Sequence, residues 1–239
     1  MKKEFSNKAN KPSYQDMWAK EPDRWTPSNE DLACELQLSA LGDWFPLDFK
    51  IDEGLYYKNV EYFKEKDWFQ LFQPKKNIVN DRYSVMLYGL EGDSPTVETG
   101  LAHVEARLGD KPEEDFFKHQ TEAGSAMTSM HEVFDYFDLG RTFFLRLNSA
   151  GHFVRHRDHI HLTRSTFRLI AFLGKDTQDY LHWEVDGVPR VVTPNRVYYV
   201  DTRKMHRVNA SSHDIDMVVL NVKKDWLNVQ RMMSRLMDW

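Results

Sequence analysis

The 239 residues include 41% hydrophobic and 13% aromatic residues, enough apolar material for one large globular domain or a core domain with an N-terminal extension. The 32 basic and 37 acidic residues leave a formal charge of -5 and are interleaved, which excludes a basic stripe for nucleic acid and a polybasic membrane patch. A single cysteine, Cys34, excludes an intrachain disulfide, and no apolar run approaches a membrane span or a signal-peptide core, so a soluble, cytoplasmic protein is expected.

Residues 1–27 are polar, carry Pro12, Pro22 and Pro27, and read as an irregular arm pinned by Trp18 and Trp25. Residues 28–239 read as one domain, with a helical cover over 28–139, a β core over 140–222 and a C-terminal helix over 225–239. Ser28 and Asp31 form a capping-box pattern, and Leu32, Leu36 and Ala40 follow at helical spacing until Gly42. From Trp44 to Trp68 the aromatic residues are dense but irregularly spaced, and the segment reads as loops and short helices. Asp81 to Leu90 alternates with a period of two and predicts a strand. Asp110-Lys111-Pro112-Glu113 is a helix start, and Met130, Val133, Phe134 and Phe137 mark a further helical stripe ending before Gly140. No glycine-rich phosphate loop or nucleophile elbow is seen, which argues against nucleotide chemistry.

After Gly140 the pattern changes to short strands separated by turn residues. The predicted strands are Thr142 to Leu147, His152 to His156, Ser165 to Leu173, Tyr180 to Val185, Val188 to Val192, Arg196 to Val200, Met205 to Ala210 and Ile215 to Val222. Asp186-Gly187 predicts a type I′ hairpin turn, because both central residues need positive φ. Eight such strands predict a mainly β fold, a double-stranded β-helix or jelly roll. The last segment places Trp226, Val229, Met233, Leu236 and Met237 on one helical face, to cap the barrel or to join two subunits as a homodimer.

Within the β core, His156 and Asp158 stand two apart, so on an extended strand both side chains point to one face and can grip one metal ion. His206, just after another apolar run, is the candidate third ligand. Two imidazoles and a carboxylate leave open coordination positions, the arrangement of non-haem Fe(II) oxygenases. His152, at even spacing from the pair, and His161 have no carboxylate partner at the same spacing, and these two with His159, His182 and His213 read as structural or, at best, as lying beside the site. Arg157 reads as a surface residue and Arg146 as a buried ion-pair partner. Trp183 and Tyr199 read as core, with pocket lining as the alternative. Arg168 sits in the middle of an apolar strand, where a charge is costly unless it meets an anion, and its fork suits a carboxylate.

Arg146-Leu147 before Gly151, then His156-Arg157-Asp158, Arg168-Leu169-Ile170-Ala171-Phe172-Leu173, a strand hairpin and finally His206 resemble the aspartyl/asparaginyl β-hydroxylase branch of the 2-oxoglutarate-dependent oxygenases. They are similar also to bacterial proline cis-hydroxylases. The resemblance covers roughly residues 140–222 and implies a jelly roll, Fe(II), 2-oxoglutarate and O₂ as reactants, and hydroxylation of an amino acid, free or within a peptide. It also implies His156, Asp158 and His206 as metal ligands. Relatives carry a basic residue about ten positions after the distal histidine for the far carboxylate of 2-oxoglutarate; here that position reads Asp216. Arg168 is therefore the expected anchor, with Arg207 in reserve, unless Arg168 merely neutralises Asp216. Two alternatives stay open: a non-catalytic jelly-roll binding module, and a cupin-type metalloenzyme that does not use 2-oxoglutarate.

Overall fold

The structure is a computed structural model that describes residues 28–72, 82–100, 107, 117–158 and 165–237. The expected arm with Trp18 and Trp25, the helix start at Asp110, and His159 and His161 lie outside the described residues. In chain order the elements are α1 (Asn29–Leu41), β1 (Trp44–Lys50), α2 (Glu53–Glu65), β2 (Gln70–Leu71), β3 (Arg82–Gly89), β4 (His119–Gln120), α3 (Glu122–Ala126) and α4 (His131–Tyr136). Then come β5 (Leu139–Leu147), β6 (His152–His156), β7 (Thr166–Leu173), α5 (Thr177–Tyr180), β8 (Leu181–Val185), β9 (Val188–Arg190), β10 (Arg196–Val200), β11 (His206–Ala210), β12 (Ile215–Lys223) and α6 (Trp226–Met233).

From β5 onward the chain alternates between two antiparallel sheets, except that the β8–β9 hairpin stays within the second. One contains β10-β7-β12-β5, extended by β1 at one edge and by β3 and β2 at the other; the second is β6-β11-β8-β9. This alternation makes the fold a double-stranded β-helix with flanking helices, as the strand pattern predicts. Side-chain parity divides the core in two. Leu169, Ala171, Val218 and Leu220 face the helices, while Ile170, Phe172, Met217 and Val219 face the second sheet. Strands covered on both faces lose polar alternation, which is why β7 and β12 carry the unbroken apolar stretches Leu169–Leu173 and Met217–Leu220.

The local expectations are met at several points. Ser28 caps α1 with a full capping box. Asp186 and Gly187 have φ of 48° and 83°, as a type I′ turn needs. Two segments differ from expectation. Trp44 to Trp68 contains the edge strand β1 and a 13-residue helix rather than loops and short helices. A register shift between Leu47 and Lys50 breaks the alternation, and Pro46 suits an edge strand, so the period-two signal is lost. The C-terminal helix ends at Met233, and Trp226 at its start is exposed; the chain then runs along β1, with Asp48 N–H donating to the Arg235 carbonyl at 2.7 Å and Leu236 bridged to Leu47.

Parity also explains Asp216. It lies on the helix-covered face of β12, away from the second sheet, and accepts Nε and Nη2 of Arg146 at 2.7 and 2.6 Å and the Tyr56 hydroxyl at 2.5 Å. Arg146, and not Arg168, neutralises it. Burial, then the nearby Asp216 carboxylate, pushes the Tyr56 hydroxyl well above its usual range. Removing one partner of a buried pair strands the other charge. Asp216→Ala should therefore lose about 3–5 kcal/mol of stability in urea denaturation, and Tyr56→Phe about 1 kcal/mol. An Asp216→Ala protein as stable as wild type would show that the triad contributes nothing.

Candidate metal centre

β6 and β11 are paired with His156 opposite His206, but the register shifts by one residue before Phe153 meets Val208. The extra residue in β6 is a bulge, and bulges re-aim side chains. Just beyond the strand, Asp158 donates its backbone N–H to the Thr202 carbonyl at 3.0 Å. The result brings His156, Asp158 and His206 together, with one ligand atom of each within 4.8 Å of the others. The imidazole rings are 4.4 Å apart, and His156 Nε2 lies 3.7 Å from Asp158 Oδ1.

Both imidazoles are oriented by main-chain oxygens. His156 Nδ1 donates to the Val154 carbonyl at 2.7 Å, and His206 Nδ1 to the Lys204 carbonyl at 3.0 Å. A carbonyl only accepts, so each Nδ1 carries the proton and each Nε2 keeps its lone pair. Metal-bound histidines show this pattern. The neutral ring and the ionised carboxylate are also electrostatically favoured. Burial pushes the His206 imidazole below its usual range, against the pull of Asp158 and the Lys204 carbonyl. Burial raises the Asp158 carboxyl, but Arg168, His206, the Thr202 hydroxyl and His156 outweigh it and hold the group below the usual carboxylate range.

Arg168 reaches the site through Asp158. Its Nη1 donates to Asp158 Oδ2, while Nε and Nη2 donate to Asn221 Oδ1 at 3.1 and 2.8 Å. Asn221 stands directly across from Arg168 on β12, a pairing that needs knowledge of strand register to foresee. Arg207 is not brought to the site: it points away from His206, is exposed, and pairs with Glu184 at 2.6 Å. Alternation along β11 accounts for this, since buried His206 and Val208 flank it. His152 and His182 are exposed, and His213 stacks on Tyr180 at 3.7 Å. Tyr199 faces the helices, whereas Trp183 lies parallel to the His206 ring at 5.9 Å.

The loop carrying Thr202 and Lys204 is braced from outside. Arg203 pairs with Asp201 at 2.6 Å and with Glu35 of α1, and Glu35 also receives Lys224. These groups, with Arg168 and Thr202, line a cavity of about 10 Å³, room for little more than one water. No sequence signal links Glu35 to the site.

By sequence the chain matches no family model and no curated protein. Among solved structures it is similar to an oxidoreductase of the 2OG-Fe(II) oxygenase family from Burkholderia pseudomallei, with 14% identity, a TM-score of 0.40, and coverage of 84% of this chain and 93% of that one. It is similar to a Pseudomonas putida prolyl-4-hydroxylase, with 11% identity, a TM-score of 0.42, and coverage of 80% and 98%. A cupin-2 domain from Rhodospirillum rubrum matches at 12% identity and a TM-score of 0.27 over 36% of this chain and 51% of that one. Similarity of this degree assigns no reaction; the fold stands on the strand order. No helix among the described residues is long and apolar enough to cross a membrane.

The Arg168–Asp158 pair yields a direct test. Arg168→Ala leaves a buried carboxylate without its cation, so the metal-free protein should lose about 3–5 kcal/mol of stability. Saturating Mn(II), binding only the folded form, should then raise the melting temperature less than it does in wild type, because Asp158 is no longer held ionised and aimed. Equal stability of the two metal-free proteins would show that the pair is not holding Asp158.

Proposed function

We propose that the chain is an Fe(II)- and 2-oxoglutarate-dependent oxygenase that hydroxylates an amino acid, free or within a peptide, in the manner of the aspartyl/asparaginyl β-hydroxylases and proline cis-hydroxylases its motifs resemble. The observation that carries this reading is the meeting of His156, Asp158 and His206 from β6 and β11, with both Nδ1 atoms engaged and both Nε2 atoms free. These donors suit a divalent iron with open positions. His156 Nε2, His206 Nε2 and Asp158 Oδ1 would hold it. When bound, Fe(II) would supply the site at which 2-oxoglutarate and O₂ react to give succinate, CO₂ and a hydroxylated carbon.

The chain's own residues serve this chemistry by placement. Arg168 keeps Asp158 ionised and turns one oxygen away from the ligand cluster. The Val154 and Lys204 carbonyls fix the planes of the two imidazoles. Trp183 covers the His206 ring from inside the barrel and limits water there. Because Nε, Nη1 and Nη2 of Arg168 already donate, we read it as an orienting residue rather than the receiver of the cosubstrate's far carboxylate.

A second reading, a metalloenzyme of the same fold that does not use 2-oxoglutarate, is favoured by the inward face of β12. Ile215, Met217 and Val219 there are apolar, and the acidic residue in the usual basic position faces out. Anaerobic Fe(II) with 2-oxoglutarate separates the readings: a weak visible charge-transfer band is expected from the oxygenase and absent from the alternative, as from a binding-only module. In air, succinate release stimulated by an amino acid or peptide library is expected. His206→Ala should weaken metal binding by more than the roughly 10–100-fold typical of losing an outer partner. A protein that makes no succinate while His206→Ala binds iron as wild type does would sink the reading.

A further inference from the structure

Among the described residues, four buried side-chain polar atoms lack a hydrogen-bond partner, and three of them are Nε1 of Trp44, Nε1 of Trp183 and Nε of Arg190. These three belong to one neighbourhood. The Trp44 and Trp183 rings are 5.8 Å apart, and each residue is only 5% exposed. Trp183 stands directly across from Arg190 in the β8–β9 pair, so the two side chains share a face. Arg190 Nη2 is 2.8 Å from Asp43, the residue before Trp44. Trp183 in turn lies parallel to the ring of His206, which places the group beside the candidate metal centre.

Buried donors without acceptors are rare in folded proteins and mark a place where something else supplies the acceptor. An indole N–H and a guanidinium N–H only donate, so the missing partner has to supply an acceptor atom. The local charge agrees: Asp43 faces two cations, Arg190 at 2.8 Å and Lys204 at 3.2 Å, leaving one positive charge over. A carboxylate, small and with two oxygens, suits several N–H donors at once. We propose that Trp44, Trp183 and Arg190 form a carboxylate subsite adjoining the metal centre, built from indole donors. The inference rests on the proposed function in one respect, that the carboxylate belongs to a reactant. That reactant is either the 2-oxo acid, through its far carboxylate, or the amino-acid substrate.

The test uses full-length protein loaded with Mn(II), and reads binding by calorimetry and tryptophan fluorescence. The probes are 2-oxoglutarate, 2-oxobutyrate, which lacks the far carboxylate, and free amino acids with their amides. Trp183→Phe and Trp44→Phe keep a ring and remove a donor; Arg190→Lys keeps the charge and removes Nε–H. If the subsite takes the cosubstrate, wild type prefers 2-oxoglutarate to 2-oxobutyrate, and each variant narrows that preference by roughly fivefold or more. If it takes the substrate, the 2-oxo acid preference is unchanged, and the preference for an amino acid over its amide collapses instead. Unchanged preferences in all three variants, or no carboxylate binding by wild type, would overturn the subsite. Should a tryptophan variant fail to fold, Arg190→Lys carries the test, because that side chain is 25% exposed. Succinate release by wild type is scored separately. Carboxylate binding without succinate removes the oxygenase reading and keeps the subsite, whereas succinate release with unaltered preferences removes the subsite alone.

Discussion

The carboxylate of Asp158 is the costly group around which the site is arranged. A charge with little exposure inside a β-barrel is tolerated only when opposite charge and hydrogen bonds surround it. Its partners come from four places: Arg168 on β7, Thr202 in the β10–β11 loop, His156 on β6 and His206 on β11. Both sheets and the loop between them are therefore tied to one carboxylate. Through Arg203 the loop is tied to Glu35, so a helix outside the barrel reaches to within a few residues of the ligand cluster.

The β core was legible because its signals are local. Turn residues punctuate it at short intervals, and Asp186-Gly187 marks a hairpin by its own backbone preference. His156 and Asp158 could be singled out because both lie in one short segment. The chain's path then had to bring His206 across, and the β6–β11 pairing does so. What remained hidden depends on register. Nothing local says that Asn221 faces Arg168, or that a bulge in β6 adjusts the aim of His156. The strand at Trp44 was missed for a similar reason, since its own irregularity between Leu47 and Lys50 erases the alternation.

Asp216 shows how one residue of parity changes a functional reading. Counted along the chain it falls where the enzymes its motifs resemble carry a basic residue. On the sheet it points the other way, toward α2, where Tyr56 and Arg146 satisfy it. Its charge is met on the helix-covered side and does not face the interior of the barrel. The inward neighbours Ile215 and Met217 leave β12 apolar on that side.

The two hydrogen bonds that orient the imidazoles end on the main-chain oxygens of Val154 and Lys204. Every amino acid carries that oxygen, so no point substitution at either position can delete the acceptor itself. The ring planes are inherited from the route of the backbone rather than from side-chain identity. A centre built this way tolerates extensive drift in its surroundings, and descendants sharing few letters could still present the same pair of nitrogens.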